Sequence, residues 1–341
     1  LVISSGGTAN SAFVGQNGFE TVSSGGVASN TTVLAGGVLV MASGATVAGT
    51  TNYALGAVSA FGSGMVVSGI MASNGVTVGV ISGGTMVGTI VSGFQGGEVF
   101  AGGIASGTIV NGGIFAVLSG GAGYATTISS TGQEAIGVGG VESGAVVSSG
   151  GLLAVFGNSV STTVLNGGQE TLGSGGGVSS RTIVSSGGTQ LVSANGLSIS
   201  TIISSGGVQT LLAGAVVYSS IASNSIVLNG GVLSSVLGNA IGTSVSSGGT
   251  LILGLHGSAS GTILSSGGRE IISSGGIDSG TAVLAGGLQV VSGGGTASNT
   301  VVSSGGTLES MSGGTFTGAT FASGAAFEVG SGYIQSGGTL T

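Results

Sequence analysis

The chain has 341 residues, of which 79 are glycine and none is proline, cysteine or tryptophan, and its two basic and nine acidic residues give a formal net charge of −7. The absence of cysteine excludes disulfide bonds and zinc–thiolate sites, and two basic residues are too few for a nucleic-acid-binding surface. The mean hydropathy is +0.70, but no run of about 18 apolar residues occurs without glycine, serine or threonine, so we expect no membrane-spanning segment.

Pairs of glycines recur every 19 residues along most of the chain. The second glycines of two successive pairs are Gly7 and Gly26, and Gly18 divides the interval between them into a long arm of 11 residues and a short arm of 8. The same spacing returns at Gly249 and Gly268. Because a unit this short cannot bury its own apolar face, it has to stack on copies of itself. The repeat therefore predicts a solenoid.

The residue types favour strands over helices. Short runs of Val, Ile and Thr are bounded by Gly and Ser, and so many glycines disfavour any long helix. Nineteen is not a multiple of the six-residue repeat of left-handed β-helices, and parallel crossovers are generally right-handed. We expect an all-β, single-stranded right-handed parallel β-helix with about one coil per 19-residue repeat, and about 18 coils in one continuous domain over residues 1–341.

Apolar residues at fixed places in the unit predict the interior of the solenoid. The short arm contributes one such column and the long arm another, exemplified by Val22, Val117, Ile136, Leu172, Val33, Val164, Val184 and Val245. A threonine column that includes Thr126, Thr182 and Thr201 stands two residues before the long-arm column. Alternation along a strand places this threonine column on the same, inward face.

The repeat is irregular near residues 64–103 and 208–231, and residues 325–341 depart from it. We interpret the irregularities as loops on one side of the solenoid, with a binding loop as the alternative. The chain begins directly in a repeat, so we expect any targeting segment to lie outside these residues.

Glutamate and glutamine share one column of the short arm: Glu20, Glu134, Glu170, Gln190, Gln209, Glu270 and Gln289. Alternation puts this column on the face of the buried valines, but carboxylates in such a place are costly, so we expect it at a corner where alternation fails. Neighbouring coils never both carry glutamate there. This spacing indicates structural placement and not a catalytic carboxylate pair.

Few residues are available for catalysis. His256 is the single histidine and occupies a predicted turn, so neither a triad nor a histidine-rich metal site is expected. A carbohydrate-active β-helix enzyme, the remaining enzymatic alternative, needs clustered Asp, Arg, Lys or His, and Asp278 is the only aspartate. We expect no enzyme activity, no cofactor and no metal.

Two surface features are candidates for function. An outward position between the threonine and valine columns carries isoleucine at Ile183, Ile202, Ile226 and Ile263. Such an apolar stripe favours self-association, although single exposed isoleucines are also ordinary. The tetrapeptide Ser-Ser-Gly-Gly recurs at predicted turns, where it is either good turn chemistry alone or a set of exposed hydroxyl acceptors.

The unit of a strand, Ser-Gly-Gly and x-Ala-x-x-Thr-x-Val resembles the strand-loop-strand repeats of AIDA-type autotransporter passengers over nearly the whole chain. The resemblance implies a β-helical passenger at the cell surface of a Gram-negative bacterium, acting in autoaggregation and biofilm formation or as a stalk. It also implies O-heptosylation of turn serines by a glycosyltransferase, with the acceptors Ser24, Ser149, Ser186, Ser205, Ser247, Ser266, Ser274 and Ser304.

From these features we expect a non-enzymatic extracellular repeat protein that acts in display and adhesion. Its expected partners are a second copy of itself and glycans or proteins of host or bacterial surfaces. An inert stalk or fibre segment that presents another domain is the alternative.

Overall fold

The computed structural model describes residues 1–49, 51–62, 64–69, 71–72, 76–93, 96–212 and 220–330, and none of these residues lies in a helix. They form two compact units, Leu1–Thr162 and Thr163–Thr341. Within each unit the strands of successive coils pair in parallel, as at Val2 with Thr21 and at Ile183 with Ile202. The predicted all-β parallel solenoid with a repeat of about 19 residues is confirmed. Its right hand and its continuity as one domain stay predictions.

Each coil contains three strands, one more than the two arms of the repeat. A representative coil consists of Phe19–Val22, Val27–Ser29 and Thr32–Val33. The long arm is divided at Asn30, which has a left-handed φ of 54°. Asparagine tolerates this conformation better than most side chains, so the chain turns sharply there between two short strands.

The strands of each type stack on one face of the solenoid, and we call the faces first, second and third in chain order within a coil. In Leu1–Thr162 the first face comprises Val2–Ile3, Phe19–Val22, Val38–Met41, Val58–Phe61, Thr77–Val80, Gly96–Val99, Ile114–Val117, Gln133–Ile136 and Leu152–Val155. The second comprises Thr8–Asn10, Val27–Ser29, Thr46–Ala48, Val66–Ser68, Thr85–Val87, Ile104–Ser106, Ala122–Tyr124, Val141–Ser143 and Asn158–Val160. The third comprises Phe13–Val14, Thr32–Val33, Asn52–Tyr53, Met71–Ala72, Ile90–Ser92, Ile109–Asn111, Thr127–Ser129 and Val146–Val147.

The second unit repeats this arrangement. Its first face comprises Gln169–Leu172, Thr189–Val192, Val208–Leu212, Val232–Val236, Thr250–Gly254, Arg269–Ile272, Leu288–Val291, Thr307–Ser310 and Ala326–Val329. Its second face comprises Val178–Ser180, Leu197–Ile199, Ile221–Ser223, Asn239–Ile241, Ser258–Ser260, Ile277–Ser279, Thr296–Ser298 and Thr315–Thr317. Its third face comprises Thr163–Val164, Ile183–Val184, Ile202–Ile203, Ile226–Val227, Ser244–Val245, Ile263–Leu264, Ala282–Val283, Val301–Val302 and Thr320–Phe321.

The apolar columns form the core of each unit. Val22 and Val33 in the first unit and Val184 in the second are fully buried, as alternation predicts. The threonine column points inward as well, since Thr126 and Thr182 are also fully buried. The interior is thus built from aligned, mostly apolar side chains of neighbouring coils.

The irregular stretches behave differently from one another. The described strands near 64–103 keep the spacing of the repeat, as when Val66 pairs with Thr85. The second stretch lengthens one coil, because Ile202 pairs with Ile226. The insertion that causes this, 213–219, lies outside the described residues, as does 331–341 of the predicted end segment, while Ala326–Val329 still pairs as a first-face strand.

The glutamate and glutamine column does not lie at a corner, so that expectation was wrong. Glu134 and Gln190 occupy the second position of first-face strands and are fully buried. Alternation therefore holds here, and for members such as Gln190 and Gln289 the cost of burying a polar group is offset by hydrogen bonds inside the core.

Candidate functional site

The eight candidate serines are exposed, and each occupies a turn between two strands. Each turn is closed by a backbone hydrogen bond, in which the N–H of the second glycine of Ser-Ser-Gly-Gly donates to the carbonyl oxygen of the first serine. Gly188 N donates to Ser185 O at 2.9 Å, and Gly249 N donates to Ser246 O at 2.9 Å. This places each candidate hydroxyl at the tip of a two-residue turn.

The serines fall into two groups by backbone conformation. Six have a left-handed φ between 47° and 53°, and the group comprises Ser149, Ser186, Ser205, Ser247, Ser266 and Ser274. In these turns the following glycine also has a positive φ, for example 80° at Gly248, as in a type I′ turn. Serine is energetically unfavourable at this position, because asparagine and glycine adopt a left-handed φ at a lower conformational free energy.

Ser24 and Ser304 belong to the other group, in which only the following glycine is left-handed. The Oγ of Ser24 lies 2.6 Å from where a Cβ of Gly44 on the next coil would be, and the Oγ of Ser304 is 2.7 Å from the corresponding point at Gly324. These hydroxyls therefore lie above the glycine of the next coil. By contrast, a Cβ at Gly206, one coil beyond Ser186, would meet nothing within 4 Å.

The candidate isoleucines lie on the third face of the second unit. Ile183 pairs with Ile202, and Ile202 pairs with Ile226. Ser244 follows in register, and then Ile263. Ile183, Ile226 and Ile263 are 41%, 40% and 43% exposed, and Ile202 is half-buried. The structure thus brings three isoleucines together on consecutive coils and separates the fourth by one serine.

Charge is distributed unevenly between the interior and the surface. Six of the nine acidic residues are fully buried, and they are Glu20, Glu134, Glu142, Glu170, Glu270 and Asp278. Both basic residues, Arg181 and Arg269, are exposed. Few charged groups therefore remain on the surface, and long-range repulsion between two copies is weak.

One buried carboxylate, Glu170, ends a chain of side-chain amides inside the second unit. Gln190 Nε2 donates to Glu170 Oε2 at 2.6 Å, and Gln209 Nε2 donates in turn to Gln190 Oε1 at 2.5 Å. Ser179 Oγ donates to Glu170 Oε1 at 3.0 Å, and Ser198 Oγ donates to Gln190 Oε1 at 3.1 Å. Each amide thus points its donor toward the preceding coil, so the chain has one direction.

A second buried network surrounds Glu270. Gln289 Nε2 donates to Glu270 Oε2 and to Asp278 Oδ2, at 2.9 Å each. Thr300 Oγ1 donates to Gln289 Oε1 at 2.8 Å, and Thr281 Oγ1 donates to Glu270 Oε2 at 3.3 Å. Thr281 and Thr300 are therefore partners of interior polar groups, whereas the buried hydroxyls of Thr162 and Thr243 have no hydrogen-bond partner among the described residues.

Sequence reasoning did not identify the partners on the second face. Ser179, Ser198, Glu142 and Asp278 occupy the middle position of second-face strands, where several other coils carry alanine or glycine. The sequence does contain a pattern that marks these four residues. Each stands eight or nine positions after a buried Glu or Gln of the first face. Recognising it required knowing that the first-face column is interior.

The geometry favours structural roles for these polar groups. The carboxyls are sealed from solvent, and His256 sits in a turn with a φ of 67°, beside Gly275 of the next coil. Across the described ranges, no group of three or more His, Cys, Asp or Glu side chains is placed to hold a metal ion. The same residues include no helix long and apolar enough to cross a membrane.

No protein-family model and no curated protein matches the sequence. Among solved structures, the chain is similar to the TibA55-350 fragment in a form hyper-glycosylated by TibC. The two are 27% identical, the match covers 95% of this chain and 97% of that fragment, and the TM-score is 0.57. The similarity therefore extends over nearly the full length of both chains.

Proposed function

We propose that this chain is a non-enzymatic, surface-displayed β-solenoid that promotes adhesion by binding a second copy of itself along the third face of residues 163–330. The observation that carries the proposal is the in-register row of Ile183, Ile202 and Ile226, extended by Ile263 beyond Ser244. A parallel sheet that exposes aligned isoleucines offers a regular apolar surface. A second copy presents the same spacing, so contacts add along the row.

The surroundings of the row support association between like chains. No formally charged side chain occurs between Thr182 and Gly268, the stretch that contains all four isoleucines. Two copies therefore approach without local charge repulsion, and burial of each isoleucine contributes in proportion to the apolar area removed from water.

We further propose that the left-handed turn serines accept sugars from a glycosyltransferase. Asparagine at the same turn position, as at Asn229, would satisfy the backbone at lower cost, yet serine occurs there repeatedly. A requirement for the hydroxyl itself accounts for this choice. The likeness to a fragment that TibC glycosylates supports the same reading.

The likeness to TibA also supports an AIDA-type passenger at the surface of a Gram-negative bacterium, acting in autoaggregation and biofilm formation. Glycans or proteins of other surfaces are additional proposed partners. The second candidate function is an inert stalk that presents another domain, favoured by the regular, sealed core. The two functions differ in one respect: a stalk does not bind a second copy of itself.

The test is a cell-mixing experiment with the chain displayed on bacteria. Cells that display it should aggregate with one another and exclude labelled cells that do not, and Lys at all four isoleucines should abolish aggregation, most completely at low salt. The matched control places four Lys on the first face, at Thr171, Thr210, Ser234 and Thr250, and should still aggregate. Aggregation that survives the isoleucine changes, or is lost equally in the control, would refute the proposed surface.

A further inference from the structure

Two pairs of buried acids occupy equivalent places in the solenoid, one pair in each unit. Glu134 and Glu270 stand at the second position of first-face strands, and Glu142 and Asp278 stand eight residues later, in the middle of the next second-face strand. All four are fully buried. Each pair therefore faces inward across the same corner of a coil.

The first pair has almost no other polar partner. Glu142 Oε1 accepts a hydrogen bond from Thr126 N at 3.2 Å. Neither oxygen of Glu134 meets an N–H or hydroxyl donor within the described part of the chain, and Glu142 Oε2 has none there either. With so few donors, burial and the neighbouring acid favour a protonated form of the pair.

The second pair is bridged by an amide. The two hydrogens of Gln289 Nε2 are directed to Glu270 Oε2 and Asp278 Oδ2. The other oxygens, Glu270 Oε1 and Asp278 Oδ1, have no donor. One amide and the hydroxyl of Thr281 therefore serve two carboxyls, which is too little to hold two buried negative charges.

No positive charge compensates either pair in the described part of the chain. The inward residues on the coils beside the first pair are Phe115, Leu153, Gly123 and Ser159. Those beside the second pair are Leu251, Gln289, Ala259 and Ala297. None of them titrates, and both arginines are exposed at the surface.

We propose that each pair is held in the folded state by retained protons, and that deprotonation loosens the coils that carry the pair. The two pairs then make the stability of the solenoid depend on pH, with a larger free energy of unfolding at acidic pH than at alkaline pH. This device is independent of the self-association proposed above.

The direction of the effect follows from the pKa shifts. Burial raises the pKa of Glu142 to about 7 and that of Asp278 to about 6, and burial together with the neighbouring acid raises the pKa of Glu134 and Glu270 well above the ordinary value. The folded state therefore binds more protons than the unfolded state. The stabilisation that Glu142 and Asp278 contribute is complete below their unfolded pKa values, 4.5 for Glu and 3.8 for Asp. It is lost as the pH rises through their folded pKa values, about 7 for Glu142 and about 6 for Asp278.

The test is urea unfolding of the whole chain, followed by circular dichroism between pH 4.5 and 8.5. For each extra proton held by the folded state, the unfolding constant should rise about tenfold per pH unit. Changing Glu142→Gln and Asp278→Asn together should lower this slope by up to one proton per pair, because the amides do not titrate while Glu134 and Glu270 remain. Glu328→Gln, at an exposed position, is the matched control and should retain the wild-type slope.

A second set of variants tests the proposal in case the amide variant does not fold. Glu134→Leu with Glu142→Ala, and Glu270→Leu with Asp278→Ala, introduce residues that other coils carry in the same columns, such as Leu153 and Ala105. Proton release on unfolding at pH 6 should exceed that of these variants by at least one proton per pair. A wild-type midpoint that does not change with pH, or an unchanged slope after both pairs are removed, would overturn the proposal.

Discussion

Gly123 and Glu142 lie in register on neighbouring coils, and a carboxyl oxygen of Glu142 occupies the space that a Cβ at Gly123 would need. Ala105, on the other side of Gly123, shows that the column ordinarily accepts a methyl group. Glycine at this position is thus the complement of a buried acid on the next coil. Because the φ of Gly123 is not left-handed, the glycine is needed here for its lack of a side chain and not for its backbone freedom.

Gly123→Ala should therefore destabilise the first unit by about 1–3 kcal/mol, the usual cost of overpacking a core. The measurement is the urea midpoint at pH 5, where the acid pair holds its proton. Combining it with Glu142→Ala should restore most of the loss, because the methyl group then has room. An equal loss in the single and double variants would contradict the complementarity.

Val184→Asp should unfold the coils around it, since an unpaired charge in an apolar core costs several kcal/mol. Ile183→Asp is the matched control, because Ile183 is the neighbouring residue of the same strand and is exposed. Thermal melting and protease resistance should fall sharply for the first variant and little for the second. Similar behaviour of the two would show that the faces are wrongly assigned.

Gln190→Leu should cost about 3 kcal/mol or more, because it removes a donor to Glu170 and an acceptor for Ser198 and Gln209. Each stranded polar group costs about 1–3 kcal/mol. Replacing Glu170, Gln190 and Gln209 together by Leu should recover much of that loss, since no member of the chain is then left unpaired. Chemical denaturation measures the free energy of unfolding of the single and the triple variant. A triple variant less stable than the single variant would refute the argument.

Ser247→Asn should stabilise the second unit by about 0.5–1 kcal/mol, because the left-handed conformation costs an ordinary residue about 1–2 kcal/mol. Asn229, one coil earlier, already occupies the equivalent position, with a φ of 48°. The urea midpoint is the measurement. Ser24→Asn, at a serine that is not left-handed, should bring no gain, and a gain there as large as at Ser247 would contradict this explanation.

Intact mass spectrometry should detect sugars on the chain when it is produced together with a suitable glycosyltransferase. Peptide mapping should place the highest occupancy on left-handed serines such as Ser205 and Ser247, and the lowest on Ser24 and Ser304, whose hydroxyls lie above a glycine of the next coil. Changing the six left-handed serines to Ala should remove most of the added mass. A mass equal to the bare polypeptide would refute the acceptor proposal, and equal occupancy at Ser24 would contradict the expected difference between the two groups of serines.

Several features of the fold could be predicted because they repeat. Any residue that stacks on its own copy at every coil leaves a column in the sequence, and Val22 and Val184 are examples. The third strand of the coil was missed for a local reason. The turn at Asn30 needs only one left-handed residue, and Ser11 and Arg181 fill equivalent places in other coils, so no single residue type marks it.

By itself, the sequence determined the 19-residue repeat, the parallel stacking and the apolar columns, because short-range periodicity is sufficient to define them. It also determined the outward row of Ile183, Ile202 and Ile226, through alternation along the strands. Only the tertiary structure decided where the acids lie. Whether Glu134 is tolerable in the core depends on Glu142 and Gly123, which contact it or its partner only after the coil has closed and stacked. Such contacts across a corner and between coils have no counterpart in the order of residues along one strand.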